Sequence, residues 1–235
     1  MCTLSVGRVN GRWIFTHNRD ESVKRGLAIP PTLHDCKRGS AYWPIDPQGG
    51  GTWWAASSMG DAVFLLNGGF EQHRRDPPYR HSRGEVIPEL FQHSSAQHFL
   101  DKFSFEGLEP FTLVGRFGDV LFSWVWDGNQ LHAQNFDADR WNIWASSTLY
   151  SADWKEQRST WLRRFLNDNS TPDAELIWDF HHSSFTDDKR YDMLMERWGH
   201  LRTVAVSQVI VGPDGTGIRY EDRERDQEQF LSLTP

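Results

Sequence analysis

The chain of 235 residues is poor in cysteine, with only Cys2 and Cys36. Two thiols make no disulfide framework, and the expected setting is the reducing cytoplasm, where Cys2 stays free. No apolar run approaches the ~18–20 residues that a membrane-spanning helix needs. No charged N-terminal segment leads into an apolar stretch, so no secretory signal is read. Basic blocks are missing beyond pairs such as Arg74-Arg75, and the net charge is −7. Nucleic-acid binding through phosphate neutralisation therefore has no support. Gly49-Gly50-Gly51 has no Lys and helix behind it, so it is no phosphate-cradling loop, and a Gly-x-Ser-x-Gly elbow is absent. His93 and His98 are five apart and His181-His182 adjacent. Neither spacing suits a tetrahedral site, so no metal is expected.

What is present begins with a hairpin. Residues 3–9 and 12–18 are strand-like and flank Asn10-Gly11, the pair best suited to the positive φ angles of a type I′ turn. That turn pairs Val9 with Arg12, which puts Cys2 opposite Arg19 and Thr3 opposite Asn18. Side-chain alternation then gathers Cys2, Leu4 and Val6 with Arg19, His17 and Phe15 on one face. Asp20 falls one step further, opposite Met1. A small second residue favours removal of Met1, which would expose the α-amine of Cys2 beside Asp20. An α-amine titrates near ~8 and can act as a base at neutral pH. It would be attached to a thiol, the most reactive common nucleophile, with Arg19 expected to depress the thiol pKa.

The rest of the chain reads as α+β. Residues 22–48, with Pro30-Pro31, Pro44 and Pro47, are expected to be loop with short extended pieces. Strands are expected at 52–58, 62–67, 110–117, 119–126, 130–136, 141–148, 203–211 and 217–222. Ser82-Arg83-Gly84-Glu85 matches a capping box before a helix around 89–103. An amphipathic helix of about four turns follows from Ser151, with Trp154, Trp161, Leu162 and Phe165 on one side. Further helices are expected at 173–180 and 187–198, and the tail from 221 as a solvated end. No linker or repeat divides the chain, so residues 1–235 are expected to be a single domain. The 12 tryptophans fit a large aromatic core better than an aromatic-lined ligand pocket.

Met1-Cys2-Thr3, Asn18-Arg19-Asp20-Glu21, Gly50-Gly51-Thr52-Trp53, Leu66-Asn67 and Ser82-Arg83-Gly84-Glu85 occur in the order of the NRDE family. The chain resembles that family, which includes the transport and Golgi organisation 2 protein. The family in turn is similar to N-terminal nucleophile hydrolases such as bile salt hydrolase and penicillin V acylase. The resemblance implies a four-layer αββα sandwich with Cys2 at a central cleft. It implies catalytic roles for Cys2, Asp20, Arg19 and an oxyanion-holding Asn67. His17, Asn18, Ser146 and Arg83 fall at positions expected to bind substrate. Two positions depart from the pattern of bile salt hydrolase-like relatives. His17 stands where they carry Arg, and Ser146 stands where they carry a second Asn. A late Arg of those relatives corresponds to Arg197 or Arg202.

The function implied is hydrolysis of a C–N amide bond, or of a thioester, in a small apolar substrate, without a cofactor. The alternative is a non-catalytic haem or lipid carrier on the same scaffold, for which haem would be the ligand. The expected partner is a small molecule or apolar ligand, with no nucleic acid and no membrane span; the oligomeric state is left open.

Overall fold

In a computed structural model, residues 2–134, 136–169 and 172–235 are described. Among them the strands form two antiparallel seven-stranded sheets. The first sheet starts from the expected hairpin, β1 (Cys2–Val9) and β2 (Arg12–Ser22). Asn10 and Gly11 both take positive φ at the turn, 50° and 79°. β10 (Asn142–Ala145) adds to the free edge of β1. β12 (Leu201–Gly212), β13 (Gly215–Asp222) and β14 (Gln227–Leu233) continue the sheet beyond β2, with the two-residue β11 (Glu196–Arg197) paired on β12.

The second sheet is a meander of β3 (Ile29–Cys36), β4 (Gly39–Ile45), β5 (Trp54–Ser57), β6 (Ala62–Asn67), β7 (Phe111–Phe117), β8 (Val120–Trp126) and β9 (Leu131–Gln134). Helices α1 (Val86–Phe91) and α2 (Ala96–Lys102) cover its outer face. Helices α3 (Ala152–Asn167) and α4 (Ala174–His182) cover the first sheet.

Each interlayer space has its own apolar core. Leu4, Phe15, Trp54, Phe64, Val209 and Tyr220 fill the space between the sheets. Phe15 and Phe64 stack there at 5.5 Å, and the buried indole N–H of Trp54 donates to Ser207 Oγ across the gap at 2.9 Å. Leu90, Phe91, Phe99, Leu113 and Trp124 join the second sheet to its helices. Trp161, Leu162, Ile177, Phe180 and Met193 do so for the first. At ~25 cal/mol per Å² of apolar surface, such burial is the main favourable contribution to folding.

Four expectations need correction. Residues 22–48 hold two strands, because Pro30-Pro31 lie in β3, an edge strand whose outer N–H groups have no ladder to serve. The helix expected around 89–103 is two short helices broken at residues 92–95, although the Ser82–Glu85 capping box is present. Residues 187–198 form turns and β11 in place of a helix, held by the Asp192 carboxylate accepting from Phe185 N–H and Ser184 Oγ. The tail adds β14, which pairs with β13 at the edge of the first sheet in place of a solvated end.

Candidate active site

The ladder holds Cys2 on both sides. The hairpin register is the expected one, Cys2 opposite Arg19 and Thr3 opposite Asn18. On the other edge Thr3 pairs with Ala145. The next residue, Ser146, donates its N–H to Cys2 O at 2.9 Å and accepts the Cys2 N–H on its Oγ at 2.8 Å. Cys2 is 2% exposed and sits at a cavity of about 100 Å³. Arg19, Trp53, Leu65, Asn67 and Arg83 share the walls. Past Glu21, Arg25 and Asn67 the cavity opens into a polar vestibule of about 690 Å³ that carries His73, Arg75, Tyr79 and Glu109.

Two family motifs build the wall by touching one another. Thr52 N–H donates to Gly84 O at 2.9 Å. A Cβ on Gly51 would lie 2.4 Å from the Gly84 carbonyl carbon, so only glycine permits this approach. Asn67 ends β6 half-buried at the junction of cavity and vestibule. Among the described residues its amide makes no hydrogen bond, which leaves it free to donate.

Charge is arranged in two clusters. Arg19 Nη2 donates to Asp46 Oδ2 at 2.5 Å, and Arg25 Nε to the same oxygen at 2.6 Å. Burial acts to raise the Asp46 carboxyl. Hydrogen bonds from Arg25 and the Gly49 N–H, with the Arg19 charge, outweigh it and hold the group below the usual carboxylate value. Arg19 also stacks over the Trp53 ring at 3.9 Å. In the vestibule His73, Arg75 and Arg83 converge on Glu109 at 3.1, 3.5 and 3.3 Å.

The far face of the hairpin presents Asp20, fully buried. Tyr150 Oη donates to Asp20 Oδ2 at 2.8 Å and Thr203 Oγ1 to Oδ1 at 2.7 Å. Burial raises the Asp20 carboxyl, against the Thr203 hydrogen bond, the Arg158 charge and the Tyr150 hydrogen bond. Arg158 is itself fully buried. It donates to the carbonyls of Tyr191 and Asp192 at 2.6 and 2.8 Å and lies 4.0 Å over the Tyr150 ring.

The structure brings Cys2, Arg19, Asn67 and Arg83 to one cavity, and corrects other assignments. Burial pushes the Cys2 thiol up; Asp20 adds to that rise and Arg19 opposes it without reversing it. The expected depression by Arg19 fails because burial dominates and Asp46 takes the Arg19 hydrogen bond. His17 lines neither cavity nor vestibule. It is buried beside Phe64 at 5.6 Å, and neither ring nitrogen has a partner among the described residues. Burial, then the Arg19 charge, keeps it neutral, with its pKa well below the ordinary value.

Asn18 turns to the helical layer. Its Nδ2 donates to Met193 O at 2.8 Å and to His181 O at 3.1 Å, and its Oδ1 contacts His181 Nδ1 at 2.5 Å. Ser146 accepts from the Cys2 nitrogen and lines neither the cavity nor its vestibule. Neither late arginine reaches the cavity: Arg197 donates to Leu149 O and Arg190 O, and exposed Arg202 pairs with half-buried Glu224. Sequence reasoning missed Arg25, Asp46, Tyr150, Arg158 and Thr203. Of these only Arg25 carried a signal, its i,i+4 spacing from Glu21.

Two sheets face to face, helices on both outsides and a second-position cysteine at the cleft define the fold of the N-terminal nucleophile hydrolases. Solved structures agree on the fold. A Cys2→Ala form of a conjugated bile acid hydrolase from Clostridium perfringens superposes with TM-score 0.59 at 10% identity, covering 99% of this chain and 92% of that one. A Caenorhabditis elegans ortholog of N-acylethanolamine-hydrolyzing acid amidase gives 0.60 at 12%, covering 99% and 100%. No curated protein sequence matches the chain. Residues 1–217 match the family described as Transport and Golgi organisation 2, and the chain belongs to that family.

Proposed function

We propose that the protein is an N-terminal cysteine hydrolase that cleaves a C–N amide bond, with a thioester as the second substrate class. The observation that carries this reading is the placement of Cys2. Cys2 lines the cavity together with Asn67, and its nitrogen is held by Ser146 Oγ at 2.8 Å. Removal of Met1 turns that nitrogen into a primary amine. The amine takes the thiol proton, and sulfur attacks the substrate carbonyl. The Asn67 amide donates to the oxyanion as negative charge develops. Collapse breaks the C–N bond, the ammonium returns its proton to the leaving nitrogen, and water hydrolyses the thioester so formed. Arg19, Arg25 and Arg83 around the cavity favour a substrate with a polar or charged group near the scissile bond, in place of the small apolar one first expected.

Intact-mass measurement of purified protein should show loss of the initiator methionine. Turnover of an amide panel should vanish in Cys2→Ala. Turnover equal in wild type and variant would overturn the reading.

A second reading, a lipid carrier, draws on a separate space of about 440 Å³ at the open edge of the sandwich. Phe70, Phe136, Ile143 and Trp144 line it, with Lys155 at its polar side. Its size is within the ~300–1,000 Å³ of small-ligand sites. Haem is the other ligand of this reading, and it would reach Cys2 from the vestibule of about 690 Å³ through the cavity of about 100 Å³. A haem titration with a Soret shift lost in Cys2→Ala would favour it over the hydrolase.

A further inference from the structure

Where α1 gives way to α2, the Nδ1 atoms of His93 and His98 face one another at 3.3 Å. The two rings meet edge to face, at 64° with centroids 4.9 Å apart. Two imidazole nitrogens bound to one tetrahedral ion at ~2.0–2.1 Å lie on the order of 3.3–3.4 Å from each other. The pair thus already spans one edge of a coordination tetrahedron.

The surroundings prepare His93 for that task. Its far nitrogen, Nε2, lies 3.4 Å from Glu89 Oε1, one helical turn back. A carboxylate in that position keeps the proton on Nε2 and leaves the Nδ1 lone pair for a cation. The ring is 11% exposed and packs against the edge of Phe99 at 5.5 Å. His98 is exposed in the first turn of α2, and Ser95 Oγ fixes that turn by accepting the His98 N–H at 3.0 Å. The spacing of five hides the pair in the sequence. On one continuous helix the two residues would point roughly 140° apart, at about 100° per residue. The break at residues 92–95 turns them together.

We propose that His93 and His98 form a site for a divalent transition-metal ion such as zinc, backed by Glu89, with water completing the coordination. Among the described residues no group of three or more His, Cys, Asp or Glu converges on one point. The site therefore has two protein ligands and binds more weakly than a closed structural zinc site. Neither histidine lines the Cys2 cavity or its vestibule, so the ion would tie the break after α1 to the first turn of α2 without entering the proposed reaction. Copper(II) should bind more tightly than zinc at the same two nitrogens.

Zinc chloride titrated calorimetrically into untagged, reduced protein tests the site. One saturable event is expected, with a rise in melting temperature. His98→Ala, at an exposed position, should weaken binding at least tenfold and abolish the rise. Glu89→Gln should weaken it by ~10-fold or more while leaving the metal-free melting temperature unchanged. Undiminished binding by His98→Ala, or no binding by wild type at millimolar zinc, would overturn the proposal.

Discussion

Ser146 and Cys2, 144 positions apart, exchange two hydrogen bonds, the Ser146 N–H to the Cys2 carbonyl and the Cys2 N–H to the Ser146 hydroxyl. Ser146→Ala would keep the first and remove the second, leaving a buried nitrogen without an acceptor at a cost of ~1–3 kcal/mol. Turnover on the amide substrate should fall roughly tenfold or more by that energy, with KM little changed and the pH profile displaced. Ser146→Thr should restore most of it. A Ser146→Ala enzyme with the wild-type pH profile and rate would remove Ser146 from the mechanism.

Tyr150 and Thr203 each satisfy one oxygen of buried Asp20. Tyr150→Phe keeps the ring under Arg158 and removes only the hydroxyl. Urea unfolding should show a loss of ~1–3 kcal/mol for this change. A loss below 0.3 kcal/mol, on the same order-of-magnitude scale, would mean that water replaces the phenol there.

The stability of the Arg19–Asp46–Arg25 cluster should depend on acid. The folded value of Asp46 is depressed, so its contribution is complete above the ordinary carboxylate pKa and is lost as pH falls through the folded value. Melting temperature should decline on acidification, and Asp46→Asn should lower the neutral-pH value while flattening that decline. A decline of unchanged slope in the variant would assign acid sensitivity to other carboxylates.

Both thiols should alkylate slowly at neutral pH. Burial, with Asp35 and Asp61 nearby, pushes Cys36 up to about 11, and burial raises Cys2 as well. Iodoacetamide labelling followed by mass spectrometry should accelerate with each pH step up to about 11 at Cys36. Rapid labelling of Cys2 at pH 7 in protein that retains Met1 would contradict its burial.

Gly51→Ala should disrupt the cavity wall, since its Cβ meets Gly84 backbone and not a flexible side chain. A destabilisation of ~1–3 kcal/mol is expected, with binding of any cavity ligand lost before folding is. A crystal structure of the variant with the Thr52–Gly84 bond intact would refute it.

The hairpin was legible in the sequence because Asn10-Gly11 fixes both turn and register by local chemistry. Cys2 opposite Arg19 followed from counting alone. The pairing of residues 82–85 with 50–53 was present as motifs but not as a contact. What stayed hidden depends on chain folding back over long separations. Asp46 lies in a proline-containing stretch that reads as loop, and its value comes from Arg19 on β2 and Arg25 in the turn just after β2. Ser146 was matched by position, yet its role depends on β10 adding to the edge of β1. Burial was the other blind spot: spacing placed Arg19 beside the thiol, but only the packed interior decides that desolvation outweighs its charge.

The clasp between β1 and β10 also sets a timetable. Residue 146 is synthesised long after the first peptide bond has left the ribosome, and once it docks, Cys2 is sealed from both flanks. The removal of Met1 that the proposed function requires is therefore expected on the nascent chain, before the second half of the protein exists to close over Cys2.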